Sequence, residues 1–534
     1  MTQAITFPDP SFAADTAYAQ LRDCLLGAGF SAQGIPQALG VRSLDAFRAL
    51  PRPTMGAITS GGRPIDTFVR LFLMGEPVST QALTDAIAPM TLDDWTRVGI
   101  VNIQGFYAFP TLGLALLDGL VLFHDCRNEV GPNYVMGVAG TSTALAHQAI
   151  FARGRLALDL GTGCGVLAFL AARTCERVLA TDKNPRAIAM ARFNARVNAI
   201  DNVDFDVGDL FDPAKAYLAN RGPDARFDFI YCNPPFVITP GGRYLYCDSG
   251  MKGDAIVEGV VRGAPPLLAE NGVAQLVCNW IHPADRPWQQ RLSSWVQGGQ
   301  CDALVFLTRT LAPVDYAATW IEETEKSSTP EARWKMLGEW MQEYQALGIA
   351  AISYGVITLR KHTPKDRPNF IAFDEVPETV STQAGPHIAE MLACREFMLT
   401  LGQGPESDAR LADAVLAWSP HLRIDQTLRP PTSPGATPGM IAGPLAGVAA
   451  AGGAWKPELQ QIRMARGYAF PRQFDQRQLE LLLALDGTRS VRQVVEQLAA
   501  QAKAPPAALL PVCLKLCRAL LERAYVLPGA SRPA

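Results

Sequence analysis

Asn233-Pro234-Pro235-Phe236 places two hydrogen-bond acceptors and a flat apolar ring within four residues. Asn233 can accept one N–H through its side-chain carbonyl, and the backbone carbonyl of Pro234 can accept another. Pro235 keeps Pro234 out of the helical region and neither proline can continue a helix, so a stiff turn aims that carbonyl. Phe236 offers an apolar face to a planar group. No His or Glu stands beside the tetrapeptide as an obvious base. The chemistry such a turn suits is the orientation of a planar group that carries N–H donors.

Upstream segments say what must lie next to it. Leu156-Ala157-Leu158-Asp159-Leu160 reads as a buried strand, followed by Gly161-Thr162-Gly163-Cys164-Gly165 and a helix from about Val166. A glycine loop of this kind lets backbone approach a ligand closely before a helix N-terminus. Val178-Leu179-Ala180-Thr181-Asp182 reads as a second strand whose acid stands 23 residues after Asp159, the separation at which a carboxylate meets a ribose diol. Asp209 and Leu210 follow a third strand and can hold an adenine edge. Phe227-Asp228-Phe229-Ile230-Tyr231-Cys232 is a fourth strand, leading into Asn233. A nicotinamide reading fits less well, because the loop is G-T-G-C-G rather than G-x-G-x-x-G and because it has no use for the N-P-P-F turn.

With these residues in place, the sequence resembles the class I S-adenosylmethionine-dependent methyltransferases, in the branch with an (N/D)-P-P-(Y/F/W) motif that methylates nitrogen on a planar system. The resemblance covers about 130–362. It implies an α/β fold with a Rossmann-like sheet and S-adenosylmethionine as cofactor, leaving as S-adenosylhomocysteine. Asp159, Gly161, Thr162, Gly163, Gly165, Asp182, Lys183, Asp209, Leu210 and Asn233 become candidate cofactor contacts. Thr141, Ser142 and Thr143, in a Gly- and hydroxyl-rich segment before an expected helix over 144–152, join them by folding over the cofactor's methionine end. Asn233, Pro234 and Phe236 are the candidate catalytic residues. Phe236, Tyr134, Tyr244 and Tyr246 are the candidate substrate contacts, the last two in a Gly-rich segment expected to cover the pocket.

Composition bounds the rest. A chain of 534 residues implies three or four domains, and 48% hydrophobic with 19% charged residues implies folded protein. No apolar run is long enough for a membrane span, and the start lacks a secretion signal, so a cytoplasmic location is expected. The 11 cysteines are scattered and read as reduced core thiols; Cys513 and Cys517 have helical spacing without a completing pair or His, and no metal site is expected. His124, His147 and His282 read as structural. Net charge is −3, and residues 1–150 hold eight arginines, no lysine and twelve acidic residues, so nucleic acid is not an expected partner. Residues 451–534 reverse this balance, with twelve basic and six acidic residues.

Residues 1–129 read as an N-terminal helical, winged-helix-like domain. Ser79 and Thr91 are N-caps of two helices, and strands follow at 105–109 and 119–123. The methyltransferase-like domain spans 130–362, closing with a strand at 352–360. Residues 363–430 form an accessory region, and 431–454, rich in Pro, Gly and Ala, a linker. Residues 455–534 read as short strands at 461–464 and 468–470, then helices at 479–487, 490–498 and 507–524. The run Leu485 to Leu498, L-D-G-T-R-S-V-R-Q-V-V-E-Q-L, resembles the PqqD-like winged helix that recognises leader peptides in ribosomal peptide modification. In that family the leader adds a strand to a sheet edge.

Together the two resemblances imply an asparagine side-chain amide N-methyltransferase, like those of the proteusin class, acting on a precursor peptide. An RNA guanine-N2 methyltransferase, a protein glutamine N5-methyltransferase and a small-molecule biosynthetic methyltransferase remain open, as does self-association.

Overall fold

The computed structural model describes residues 9–126, 133–241, 250–325, 328–364, 367–376, 383–429 and 456–529. Packing divides the chain into two units, one of 1–364 with 369–375 and one of 365–368 with 376–534.

The first unit is built on an eight-stranded sheet. Its strands in chain order are β1 (Gly154–Leu160), β2 (Cys175–Asp182), β3 (Val203–Val207), β4 (Phe227–Cys232), β5 (Leu268–Pro283), β6 (Cys301–Leu311), β7 (Ile349–Lys361) and β8 (Ile371–Glu375). Their spatial order is β8-β6-β7-β5-β4-β1-β2-β3. All pairs are parallel except those made by β7, which runs antiparallel to β5 and β6. Apolar strands without alternation are what a sheet covered on both faces requires, and Leu156, Ala157, Leu158 and Leu160 of β1 are all buried. Chain order reverses between β1 and β4, whose last residues Leu160 and Cys232 lie side by side. A doubly wound sheet opens its ligand crevice at such a switch. The expected closing strand is β7, and β8 extends the sheet beyond the expected end at 362.

Residues before β1 are part of the same body, so the expected division at 129/130 falls inside it. A three-stranded antiparallel sheet is made by Val78–Ser79, Tyr107–Pro110 and Val101–Gln104, with helices Thr80–Ile87 and Leu92–Arg97 between its first two strands in sequence. Ser79 accepts from the Ala82 N–H, and Thr91 forms a capping box with Asp94. Stacked Phe68 and Trp95 fill this core, their centroids 6.0 Å apart. The strand expected at 105–109 starts at Tyr107, because Gly105 and Phe106 make the hairpin turn. The one expected at 119–123 is Leu120–Asp125, and it pairs with Leu112–Leu117 in a separate hairpin.

That hairpin is fixed to the helix α3 (Pro185–Val197), which follows β2; two shorter helices, α1 (Gly140–Gln148) and α2 (Val166–Ala171), flank β1. Asn194 of α3 accepts from Phe123 N–H at 2.8 Å and donates to Phe123 O and Cys164 O, both at 2.9 Å. Arg186 Nε meets Asp125 Oδ2 at 3.0 Å, with both side chains buried. Because Cys164 lies in the glycine loop and α3 follows Asp182, these bonds tie the N-terminal elements to the backbone of the candidate site.

In the second unit a three-stranded antiparallel sheet comprises Leu422–Arg429, Lys456–Met464 and Arg472–Gln473. Helices Gln476–Ala484, Val491–Ala502 and Pro506–Glu522 follow, and Val415–Trp418 pairs with both Asp486–Ser490 and Val526–Pro528. Strand pairing thus joins the expected accessory region to the expected C-terminal module, and 430/455 does not separate two bodies. The strand expected at 468–470 is displaced to 472–473, and the first helix is drawn forward to 476–484 by its Asp475 and Gln478 capping box. Asp486 and Gly487, expected at its end, start a strand instead. Residues 431–454 lie outside the described residues.

No helix of the described residues is long and apolar enough to cross a membrane. Cys164, Cys232 and Cys278 are buried free thiols, and burial pushes all three upward, Cys164 to about 12.

Candidate functional site

The glycine loop departs from β1 through three left-handed positions, Gly161 at φ 78°, Gly163 at φ 55° and Gly165 at φ 98°. A Cβ at Gly165 would also stand 2.3 Å from the Phe169 ring. Beneath the loop, Asp159 Oδ2 accepts from the Thr162 hydroxyl at 2.7 Å and from Ala168 N–H at 2.9 Å, fastening β1, loop and α2 together. Asp159 is buried and Oδ1 has no hydrogen-bond partner among the described residues. Lost hydration outweighs its two donors and pushes the carboxyl up to about 7. Asp159 is therefore a staple below the cavity wall, while Thr162 reaches the wall itself.

Asp182 ends β2 at the cavity. Its Oδ2 accepts from Gly163 N–H at 2.9 Å and Oδ1 from Asn184 N–H at 2.8 Å. Each oxygen keeps a lone pair for a further donor, and burial shifts the carboxyl upward against these bonds. Lys183 and Asp209 form an exposed ion pair at 3.2 Å on the cavity wall, next to Leu210, held at φ 44°.

The cavity measures about 1060 Å³ and brings Asp182 and the loop together with the N-P-P-F turn, all four of whose residues line it. Asn233 Nδ2 donates to Ser142 Oγ at 2.9 Å and lies 3.4 Å from Thr141 Oγ1. Among the described residues no donor meets Asn233 Oδ1. The amide is thus anchored through its nitrogen with its carbonyl available. α1 begins at Gly140, not 144, so Thr141 and Ser142 occupy a first helical turn instead of a loop. Thr143 is in the same turn, its N–H bonded to Ala139 O, and it is not part of the wall; neither is Gly165. Buried Tyr134 and Phe236 both line the cavity. Tyr244 and Tyr246 lie outside the described residues.

Sequence reading missed the far wall. It comes from Arg309 of β6, Tyr354 of β7 and the helix α4 (Pro313–Thr324), which with α5 (Pro330–Ala346) is inserted between those strands. The available signal was the spacing Tyr316, Thr319, Trp320, Glu323, which lies on one helical face.

The residues present fit the expected cofactor. Glycine backbone gives close approach, a carboxylate with spare lone pairs ends β2 at the cavity, and the Leu210 side chain on the wall offers an apolar surface to an adenine. Asp182 would take the ribose hydroxyls, the loop the methionine portion, and Asp209 with Leu210 the base. Sheet order, loop and turn together define this body as a class I methyltransferase domain, with S-adenosylmethionine as its cofactor. Residues 139–295 match the family described as Methyltransferase small domain, and 27–108 match one described as a domain of unknown function, DUF7059. The chain is 31% identical over 140 residues to the release factor glutamine methyltransferase of Xylella fastidiosa strain 9a5c, covering 24% of this chain and 47% of that protein. It is 35% identical over 130 residues to the enzyme of that name from Aquifex aeolicus, covering 22% and 43%. The one from Aliivibrio fischeri is 37% identical over 82 residues, covering 15% and 26%. The chain spans about half or less of each of these three relatives.

Proposed function

We propose that this protein is an N-methyltransferase for the side-chain carboxamide of a polypeptide, and specifically for asparagine in a ribosomally made precursor peptide. The observation that carries the proposal is the anchoring of Asn233 through its nitrogen, which leaves its carbonyl in the same cavity as Pro234 and Asp182. A bound S-adenosylmethionine supplies a methyl group on a sulfonium centre. An amide nitrogen is a poor nucleophile because its lone pair is delocalised. Asn233 Oδ1 and the Pro234 carbonyl accept its two N–H groups, hold the nitrogen in line and favour pyramidalisation as the bond forms. Phe236 packs on the amide plane. The proton becomes acidic once nitrogen carries the methyl, so no strong base is required before attack.

Support for a peptide acceptor comes from the second unit, where three antiparallel strands precede three helices and two strand edges are present, the outline that leader capture by strand addition uses. The names of the relatives favour glutamine as a second reading of the acceptor residue. Incubating the full chain with isotopically labelled S-adenosylmethionine and capped peptides bearing a single Asn or Gln, their Asp or Glu counterparts, or transfer RNA tests the proposal. Label on carboxamide nitrogen alone is expected; label on carboxylates or RNA would overturn it.

A further inference from the structure

Two independent sets of contacts lead to the helix pair inserted between β6 and β7. The first holds the chain just after the N-P-P-F turn. Tyr316 of α4 accepts from Ile238 N–H at 3.1 Å and from Asn279 Nδ2 at 2.7 Å, and Tyr344 of α5 donates to Ile238 O at 2.7 Å. Ile238 stands two residues after Phe236, and all four groups are buried, so the helix pair sets the exit of the N-P-P-F turn. The second set faces the cavity. One helical turn beyond Tyr316, Trp320 Nε1 donates to Tyr354 Oη at 3.1 Å, and the Arg309 guanidinium lies over the Tyr354 ring, 4.6 Å from its centroid. Glu323 follows on the same face, and Arg309, Trp320, Glu323 and Tyr354 all line the cavity; β6 and β7, which carry or flank them, lie on one side of β4 in the sheet, and β1, β2 and β3, which lead into the cofactor residues, on the other.

We infer that this wall is the acceptor subsite and that it holds the extended main chain flanking the carboxamide, an inference that rests on the carboxamide reading above. Guanidinium and carboxylate groups each carry several donor or acceptor sites, so beside the contacts they already make, Arg309 and Glu323 match the C=O and N–H groups that an extended peptide offers at about 3.3 Å per residue. A phosphate-rich acceptor would set its charge against Glu323 as well as beside Arg309. Trp320, half-buried on the cavity wall and held by Tyr354, supplies an aromatic face on which a planar amide can lie. The same helix therefore positions the acceptor-binding turn through Tyr316 and contacts the acceptor through Trp320 and Glu323.

Steady-state kinetics on the full chain with a capped peptide carrying one Asn or Gln tests this, comparing wild type with Trp320→Ala, Glu323→Gln and, as a control, Trp334→Ala, whose side chain is exposed on α5 outside the cavity. Trp320→Ala and Glu323→Gln should each raise KM for the peptide about tenfold while kcat falls less than about threefold, the pattern of lost ground-state binding. The affinity for S-adenosylmethionine, measured by calorimetry on the same preparations, should stay within about twofold and so report an intact fold. Trp334→Ala should change neither constant. Peptide turnover with KM unmoved in both cavity variants would overturn the wall, as would cofactor affinity falling in step with KM. If wild type methylated transfer RNA and no peptide, the carboxamide reading itself would fall and the peptide assignment with it.

Discussion

Two acids of the site sit at consecutive strand ends and do different work. Asp182 presents lone pairs to the cavity, while Asp159 is spent below it on Thr162 and Ala168. Asp182→Ala should weaken S-adenosylmethionine binding by about 1.5–3 kcal/mol, the scale of hydrogen bonds to a charged group. Calorimetry giving an unchanged Kd would remove Asp182 from the cofactor site. Asp159 carries a pH signature. With its folded pKa near 7 and an ordinary value of 3.8, the folded state keeps a proton that the unfolded chain releases. Stability therefore falls as pH rises from about 4 to about 7, and the full cost persists above that. Asp159→Asn can accept both existing donors without that cost. Relative to wild type it should gain on the order of 1–3 kcal/mol in the cofactor-free protein at pH 8 and little at pH 5. Thermal melts showing the same gap at both pH values would contradict this assignment of burial as the cause.

At the scale of elements, the first two strands, the glycine loop and the N-P-P-F turn could be read from local pattern, because each is a short apolar run ending where backbone must bend. Gly165 shows how tightly that bend is specified. It caps α2 at φ 98° with no room for a Cβ beside Phe169. Gly165→Ala should thus destabilise the protein by about 1–3 kcal/mol and cost cofactor affinity, whereas a melting temperature and Kd unchanged from wild type would show that the loop tolerates a side chain. What local pattern did not reveal was pairing at a distance. Leu422–Arg429 and Lys456–Met464 are hydrogen-bonded neighbours across a Pro- and Gly-rich stretch that looks like an interdomain linker. Nothing in either segment records its partner. Hydroxyl-rich sequence around Thr141 and Ser142 favours a helix starting after them, yet α1 takes them into its first turn, where they hold Asn233. The α4 wall was missed because a helix with polar residues on its cavity face has the same periodicity as an ordinary surface helix.

For the whole molecule, the division into two units assigns cofactor chemistry to the first. Its sheet is complete at Glu375, so a chain ending there should bind S-adenosylmethionine with a Kd within about threefold of the full chain. A cut within 431–454 would instead separate Leu422–Arg429 from its partner strand. On the proposed reading, in which the second unit captures the leader and raises the local concentration of the acceptor, the shortened chain should lose at least about tenfold in affinity for a full-length precursor. For the proposed leader capture, the excess of basic over acidic residues in 451–534 calls for an acidic leader and for binding to the full chain that weakens with salt. Equal precursor affinity for both chains would reduce the second unit to a scaffold. The central claim is that Asn233 acts on the acceptor nitrogen and not on the cofactor. It is tested most directly by measuring cofactor Kd and single-turnover rate together in Asn233→Ala. The account predicts a Kd within about threefold of wild type and a rate lower by about two orders of magnitude or more, because the lost bond strengthens as charge develops on nitrogen. Parallel losses in binding and rate would contradict it and return Asn233 to the wall of the cofactor pocket.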